Sequence, residues 1–230
     1  MVQPPARQNV TFPSAAGTAH GYLALPADGG GPGVIVIQEW WGLTGHIADV
    51  ADRLAAAGFT ALAPDLFGGT VAHDAAEARR ISAGLPAGRG VELLSGAVDY
   101  LLSRDEVTGD RVGAVGFCMG GGFVLLLAAR DPRIAAAVPF YGVIHGDLPD
   151  FSALKADVLG HYGRTDRTVP PESLDELASA IRSQSGITPQ FHLYPAGHAF
   201  FNDSRPETHD PASASLAWDR TLEFLRTHLS

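Results

Sequence analysis

A disulfide framework is excluded at the outset, because the chain has one cysteine, Cys118, among 230 residues. Basic residues are also few: 16 lysines and arginines stand against 25 aspartates and glutamates, a formal charge of −9. There is no basic run, so neither nucleic acid nor an anionic membrane surface is an expected partner. Long apolar runs are missing. GVIVI and FVLLLAA fall far short of the about 20 residues that a membrane-spanning helix needs. The opening MVQPPARQNV lacks the apolar core of a secretory signal, and a reducing, cytoplasmic setting is the expectation. No G-x-G-x-x-G joins a strand to a helix, and DGGGPG (28–33) lacks the G-K-[ST] of a phosphate cradle. Neither H-E-x-x-H nor a paired-histidine spacing occurs, so no metal and no organic cofactor are expected.

What remains is a chain that is 46% hydrophobic. At this length a single domain buries about 70–75% of its unfolded surface and needs no staples. No internal repeat, low-complexity tract or long linker divides it, so residues 1–230 read as one domain. QNVTFPSAAGTAHGYLALP reads as a β-hairpin with Gly17 near its turn. GVIVIQEW (33–40) is the near-continuous apolar run of a strand buried on both faces. A helix follows, with Thr44 as its candidate N-cap and Gly58 as its stop. TALAPDLF (60–67) is a strand, and residues 72–104 carry helix broken around Pro86, Gly88 and Gly90. Strands at 111–117, 133–142 and 156–166 alternate with a helix from MGGGFVLLLAARD and one from PPESLDELASAIRSQSG, with proline in its first turn. TPQFHLYPAGHAF holds the last strand, and PASASLAWDRTLEFLRTHL closes the chain as a helix. Alternation of this kind predicts an α/β fold, a mostly parallel doubly wound sheet with helices on both faces and an antiparallel start.

One turn in that pattern carries chemistry. RVGAVGFCMGGG places Cys118 in a G-x-C-x-G frame between a strand and a helix. So sharp a turn needs small flanks, here Gly116 and Gly120, and it presents the side chain at a helix N-terminus. There free N–H groups and the helix dipole favour negative charge. A free thiol is only about 3% thiolate at pH 7, and a helix N-terminus with an imidazole raises that share. The alternative is a buried cysteine acting as a small hydrophobe. No serine occupies a competing G-x-S-x-G frame.

A nucleophile needs a base, and the base needs an orienter. In sheets of this kind they follow in the order nucleophile, acid, histidine. Asp166 in HYGRTDRTVP and His198 in LYPAGHAF meet that order, each just past a predicted strand end. Taken singly, Asp166 also reads as a turn residue and His198 as a loop histidine. Jointly, at the carboxyl edge where open parallel sheets form their sites, they read as a triad with Cys118. Glu39 ends the run VIVIQEWW at the same edge; alone it is either a solvated strand end or a group facing a cleft. His46, His145 and His161 receive no role.

Five segments carry a resemblance: QEWWGL (38–43), GFCMGG (116–121), FYG (140–142), GRTDRTVP (163–170) and AGHAF (196–200). With them the chain resembles the dienelactone hydrolase family of α/β-hydrolases over nearly its whole length. The resemblance implies an α/β-hydrolase fold and a Cys118, His198, Asp166 triad. It implies that Glu39 holds the resting thiol and takes its proton, and that the backbone N–H groups of Trp40 and Met119 form the oxyanion hole. Trp41, Tyr141 and Asn202 are the implied substrate contacts; for Trp41 plain packing stays open. Family members that cleave the anionic dienelactone clamp its carboxylate with arginines. One such position is Asn202 here, and Arg79 and Arg80 lie near the other. A neutral amide cannot replace a guanidinium there.

The expected function is therefore hydrolysis of esters or lactones through a thioester, with neutral aryl or apolar esters favoured and phosphotriesters as a side activity. The expected partner is the small-molecule substrate, and the chain is a monomer or a small homo-oligomer. Three readings compete: a carboxymethylenebutenolidase acting on anionic dienelactone, a metal-dependent hydrolase using the histidines, and a non-catalytic relative that binds ligand.

Overall fold

The computed structural model describes residues 7–144 and 146–229. Most of the opening stretch read for a secretory signal, MVQPPA, and His145 lie outside the described residues. Among the described residues eight strands intersperse with six helices, and the described strand pairs are parallel except at the N-terminal side, so the chain is an α/β protein with an antiparallel hairpin at its start. Two compact units divide it, residues 1–112 and 113–230.

The first unit holds β1 (Val10–Ser14), β2 (Gly17–Ala24), β3 (Gly31–Ile37), α1 (Gly45–Ala56), β4 (Thr60–Pro64), α2 (Ala75–Ala83) and α3 (Ala87–Leu102). Its hydrogen-bonded order is β1-β2-β4-β3. The hairpin closes at Gly17, whose φ of 110° a residue with a Cβ adopts only under strain. β4 is buried along its whole length and β3 at all but one position, which is why both read as unbroken apolar runs. α1 turns Ile47, Val50, Ala51 and Leu54 inward at helical spacing. Thr44 stands at the N-cap of α1 as expected, without a side-chain bond to the helix. Two local expectations change. Gly84, Leu85 and Pro86 separate α2 from α3, and Gly88 and Gly90 lie within α3. β3 ends at Ile37, so Gln38–Trp40 leave the strand as connecting chain.

The second unit takes β5 (Val107–Phe117) from Gly113 onward, then α4 (Met119–Ala128), β6 (Ile134–Phe140), β7 (Asp157–Gly163), α5 (Ser173–Ser185), β8 (Gln190–Tyr194) and α6 (Pro211–Leu229). Its strand order is β5-β6-β7-β8. α5 begins at Ser173 after both prolines, and Gly186 ends it in the left-handed conformation at φ 79°. β6, β7 and β8 are parallel, with Phe140 opposite His161, His161 opposite His192, and Gly163 opposite Tyr194. Parallel strands in this register deliver their following loops to one edge. Asp166 and His198 stand in two of those loops.

Glycines let α4 pack closely enough to aim its first turn. A Cβ on Gly121 would meet the Gly142 Cα at 2.6 Å, and one on Gly122 would overlap the Val143 carbonyl oxygen. Gly122→Ala gains helix propensity of about 1 kcal/mol but must push a backbone carbonyl aside, an overpacking cost of about 3 kcal/mol. The expected result is a net loss of about 2 kcal/mol in urea unfolding. No helix among the described residues is long and apolar enough to cross a membrane.

Candidate active site

Cys118 occupies the joint between β5 and α4 at φ 54°, ψ −116°. An L-residue rarely adopts that geometry, and holding it there costs on the order of 1–3 kcal/mol. The strain is held by backbone bonds. The Cys118 N–H donates to the Phe140 carbonyl at 3.0 Å, and the Cys118 carbonyl accepts from Gly121, Gly122 and Val143 at 3.0, 3.2 and 3.0 Å. The side chain stays partly exposed. The sealed, purely hydrophobic cysteine is thus not what the structure contains. Met119 opens α4 directly after it.

His198 donates from Nδ1 to Asp166 Oδ2 at 2.7 Å. The Asp166 carboxylate is fully buried, while about a quarter of the imidazole, 23%, remains accessible. Asp166 Oδ1 accepts the N–H groups of Thr168 and Val169 at 2.7 and 3.0 Å. Burial by itself would raise the Asp166 carboxyl. The His198 hydrogen bond, its charge and the two amides outweigh burial and hold the carboxyl below its usual range. Burial likewise would lower His198. Hydrogen bonds to Asp166 and Cys118, and the charges of both, raise it instead to about 10. With Nδ1 on Asp166, Nε2 is the nitrogen left for the Cys118 sulfur.

Stability at alkaline pH follows from that shift. A histidine whose folded value lies above its ordinary 6.5 stabilises the fold fully below 6.5 and loses that contribution as pH rises through about 10. Asp166, held low, acts at the other end: its contribution is present above its ordinary value and vanishes in acid. The urea midpoint of the wild type, taken relative to His198→Gln, is expected to fall between pH 6.5 and about 10. A flat difference would contradict the raised imidazole.

Among the described residues, the non-glycine positions with positive φ are Cys118, Tyr141 (38°) and Ala199 (60°). One is the thiol, one packs its ring on His198 at 5.0 Å, and one follows His198 in the chain. Strain of this kind gathers where surrounding structure enforces a working geometry. Ala199 has no sequence signal; alanine at a left-handed position is visible only in the backbone. Asn202 is 2% exposed, and its side-chain oxygen accepts the Ser204 N–H and hydroxyl at 3.1 and 2.6 Å. It therefore pins the loop that carries His198.

In the first unit, Glu39 is 2% exposed just past β3, and its carbonyl accepts the Gly42 N–H. The solvated strand end is excluded by that burial. The Trp40 and Trp41 rings meet edge to face at 5.1 Å. Arg79 and Arg80 lie exposed on α2, Arg80 beside Glu77 at 3.7 Å.

A model of the dienelactone hydrolase family matches residues 19–229. A provisionally named carboxymethylenebutenolidase of Methylorubrum extorquens is 35% identical over 95% of this chain and 80% of its own. A provisionally named dienelactone hydrolase of Klebsiella pneumoniae, solved as a crystal structure, is 30% identical with a TM-score of 0.85, covering 98% of each chain. The crystal structure of a dienelactone hydrolase-like promiscuous phosphotriesterase from metagenomic libraries is 26% identical with a TM-score of 0.87, covering 97% of this chain and 98% of its own. The fold and this likeness define an α/β-hydrolase. The chain belongs to the dienelactone hydrolase family and is a hydrolase of ester and lactone type.

Proposed function

We propose that the chain is a cysteine hydrolase that cleaves esters or lactones through Cys118, His198 and Asp166. The observation that carries this reading is the placing of His198, hydrogen-bonded to Asp166 at 2.7 Å on one side and to Cys118 at a strained helix head on the other. The Cys118 thiolate attacks the carbonyl carbon, and the carbonyl electron pair moves onto oxygen. The N–H groups of Met119 and Trp40 hold that oxyanion, each such donor contributing about 3 kcal/mol. The C–O bond breaks as the His198 imidazolium protonates the leaving oxygen, which leaves a thioester. The neutral imidazole then takes a proton from water, hydroxide adds to the thioester, and the acid departs as thiolate and imidazolium return. Glu39 keeps the role of the family resemblance: it holds the resting thiol, takes its proton when substrate arrives, and returns that proton to the sulfur once the acid has departed.

Neutral aryl or apolar esters are the favoured substrates, with Trp41 and Tyr141 as their contacts. Asn202, in place of an arginine, offers no guanidinium to a substrate carboxylate, and its oxygen is already engaged by Ser204. A phosphotriester would meet the same sulfur and donors, a reading supported by the activity named for the metagenomic relative. The second reading, an anionic dienelactone as substrate, is favoured by the name of the Methylorubrum relative. β5 contributes to both compact units and the family model runs through both, which supports one catalytic domain. The setting we assign is the cytoplasm, as a monomer or small homo-oligomer.

A panel of neutral aryl esters, anionic lactones and a phosphotriester tests the preference. The kcat/KM for the neutral ester is expected to exceed that for the anionic lactone by about tenfold or more, the worth of one charged hydrogen bond. The reverse order would defeat the neutral preference and favour dienelactone.

A further inference from the structure

His161 lies fully buried in β7, where the sequence suggests no role for it. Its Nδ1 is 2.8 Å from the Tyr194 hydroxyl on β8, and its Nε2 is 3.0 Å from Thr221 Oγ1 on α6. The partners decide which nitrogen carries the proton. Thr221 donates its own hydroxyl proton to the Ala217 carbonyl at 2.8 Å, so toward His161 it accepts. Arg220 Nη1 donates to the Tyr194 oxygen at 3.1 Å, so the Tyr194 proton is free to point at Nδ1. One chain of bonds results: Arg220 to Tyr194 to His161 Nδ1, then His161 Nε2–H to Thr221 to Ala217. Each proton along it has a single place to go.

Around the ring stand Phe140 of β6 at 4.5 Å, His192 of β8 stacked at 6.0 Å, and Arg220 of α6. Burial first, then the positive charge of Arg220 and of His192 when protonated, keeps it neutral well below the ordinary histidine range.

The relay touches the site at two points. The His161 carbonyl accepts the N–H of Tyr141 at 2.7 Å, the strained residue whose ring packs on His198. The Tyr194 carbonyl accepts the N–H groups of Arg164 and Ala196, both at 2.8 Å, at the start of the loops that carry Asp166 and His198. The Tyr194 ring also packs on Phe200 at 5.1 Å, two residues past His198.

We propose that His161, held as its Nε2–H tautomer between Tyr194 and Thr221, is the positioning residue that keeps His198 aligned with Asp166 and Cys118. This rests on the triad reading above. Thr221→Val removes the acceptor of Nε2–H, and Tyr194→Phe removes the donor to Nδ1 while keeping the ring.

Nitrogen NMR of the wild type is expected to find Nε2 protonated and Nδ1 bare in His161 from about pH 8 to about pH 5.5, across the ordinary titration range. Both variants are expected to lose kcat by about tenfold with KM unchanged, the effect of a slightly misplaced catalytic group. The alkaline limb of kcat/KM should also move to lower pH, as His198 slips from its two partners. A merely destabilised chain would lose amplitude with the limb in place. Thr221→Ser restores the acceptor and should restore kcat. Wild-type kcat with an unmoved limb in both variants, or an Nδ1–H tautomer, overturns the proposal. Cys118→Ala separates the two readings. If it abolishes activity while the relay variants behave as wild type, positioning fails alone; if it keeps full activity, the triad fails and positioning falls with it.

Discussion

Cys118→Ala is expected to lower kcat/KM for a neutral aryl ester by on the order of 10⁵-fold, while leaving the fold intact. In the proposed mechanism the sulfur is the atom that bonds to the carbonyl carbon, and alanine puts nothing in its place. The loss is large because the triad acts as a unit; removing its nucleophile costs as much as removing all of it. The fold should survive because the side chain is partly exposed and the four backbone bonds that hold the turn use only main-chain atoms. Alanine retains a Cβ at φ 54°, so it retains the strain. Cys118→Gly releases that strain and is expected to be more stable than Cys118→Ala by about 1 kcal/mol, though equally inactive. His198 also loses two of the influences that raise it, so its proton should leave at lower pH in either variant. The checks are steady-state turnover, mass spectrometry for an acyl adduct present in wild type and absent in the variants, and urea unfolding. Full turnover by Cys118→Ala would end the mechanism.

Asp166→Asn is expected to reduce kcat by about 10⁴-fold with little change in fold. The reason lies in two amides. Thr168 and Val169 both donate to Oδ1, so the oxygen of an asparagine must stay on their side. Its NH₂ group then faces His198 Nδ1, where Asp166 Oδ2 now accepts at 2.7 Å. Two donors cannot share that contact, so the imidazole must give up its Nδ1 proton and carry it on Nε2. The neutral ring then presents a donor to the sulfur and cannot serve as the base. Loss of the carboxylate charge also lowers His198 from about 10, so the residual activity should fall off at a lower pH than in wild type. A residual activity within about tenfold of wild type, where a triad predicts about 10⁴, would show that His198 needs no orienting carboxylate.

The sequence made different parts of this protein legible to different degrees. Cys118, Asp166 and His198 are legible as candidates because each lies at a strand end and two of them sit in glycine-containing frames, GFCMG and AGHAF, that suit a sharp turn. Glu39 was ambiguous, since its neighbours in sequence do not reveal that it is 2% exposed. Ala199 and Tyr141 could not be identified as strained, because positive φ at a non-glycine is set by what surrounds the residue. The same applies to Asn202: an amide in place of an arginine is visible in sequence, but its bond to Ser204 depends on how the loop folds back. His161 reads as one more apolar-strand residue, because its partners lie 33 and 60 positions away.

By itself the sequence determined the alternation of strand and helix, the hairpin at the start, the placing of one thiol at a helix head, and the order of the acid and histidine proposed to serve it. These are encoded by short-range patterns: period, capping and the small residues a tight turn demands. Only the tertiary structure decided the direction in which His198 is shifted, the partners of His161 and the strained backbone at three positions. Those depend on burial and on partners brought together across the strands, and both arise only when distant segments pack.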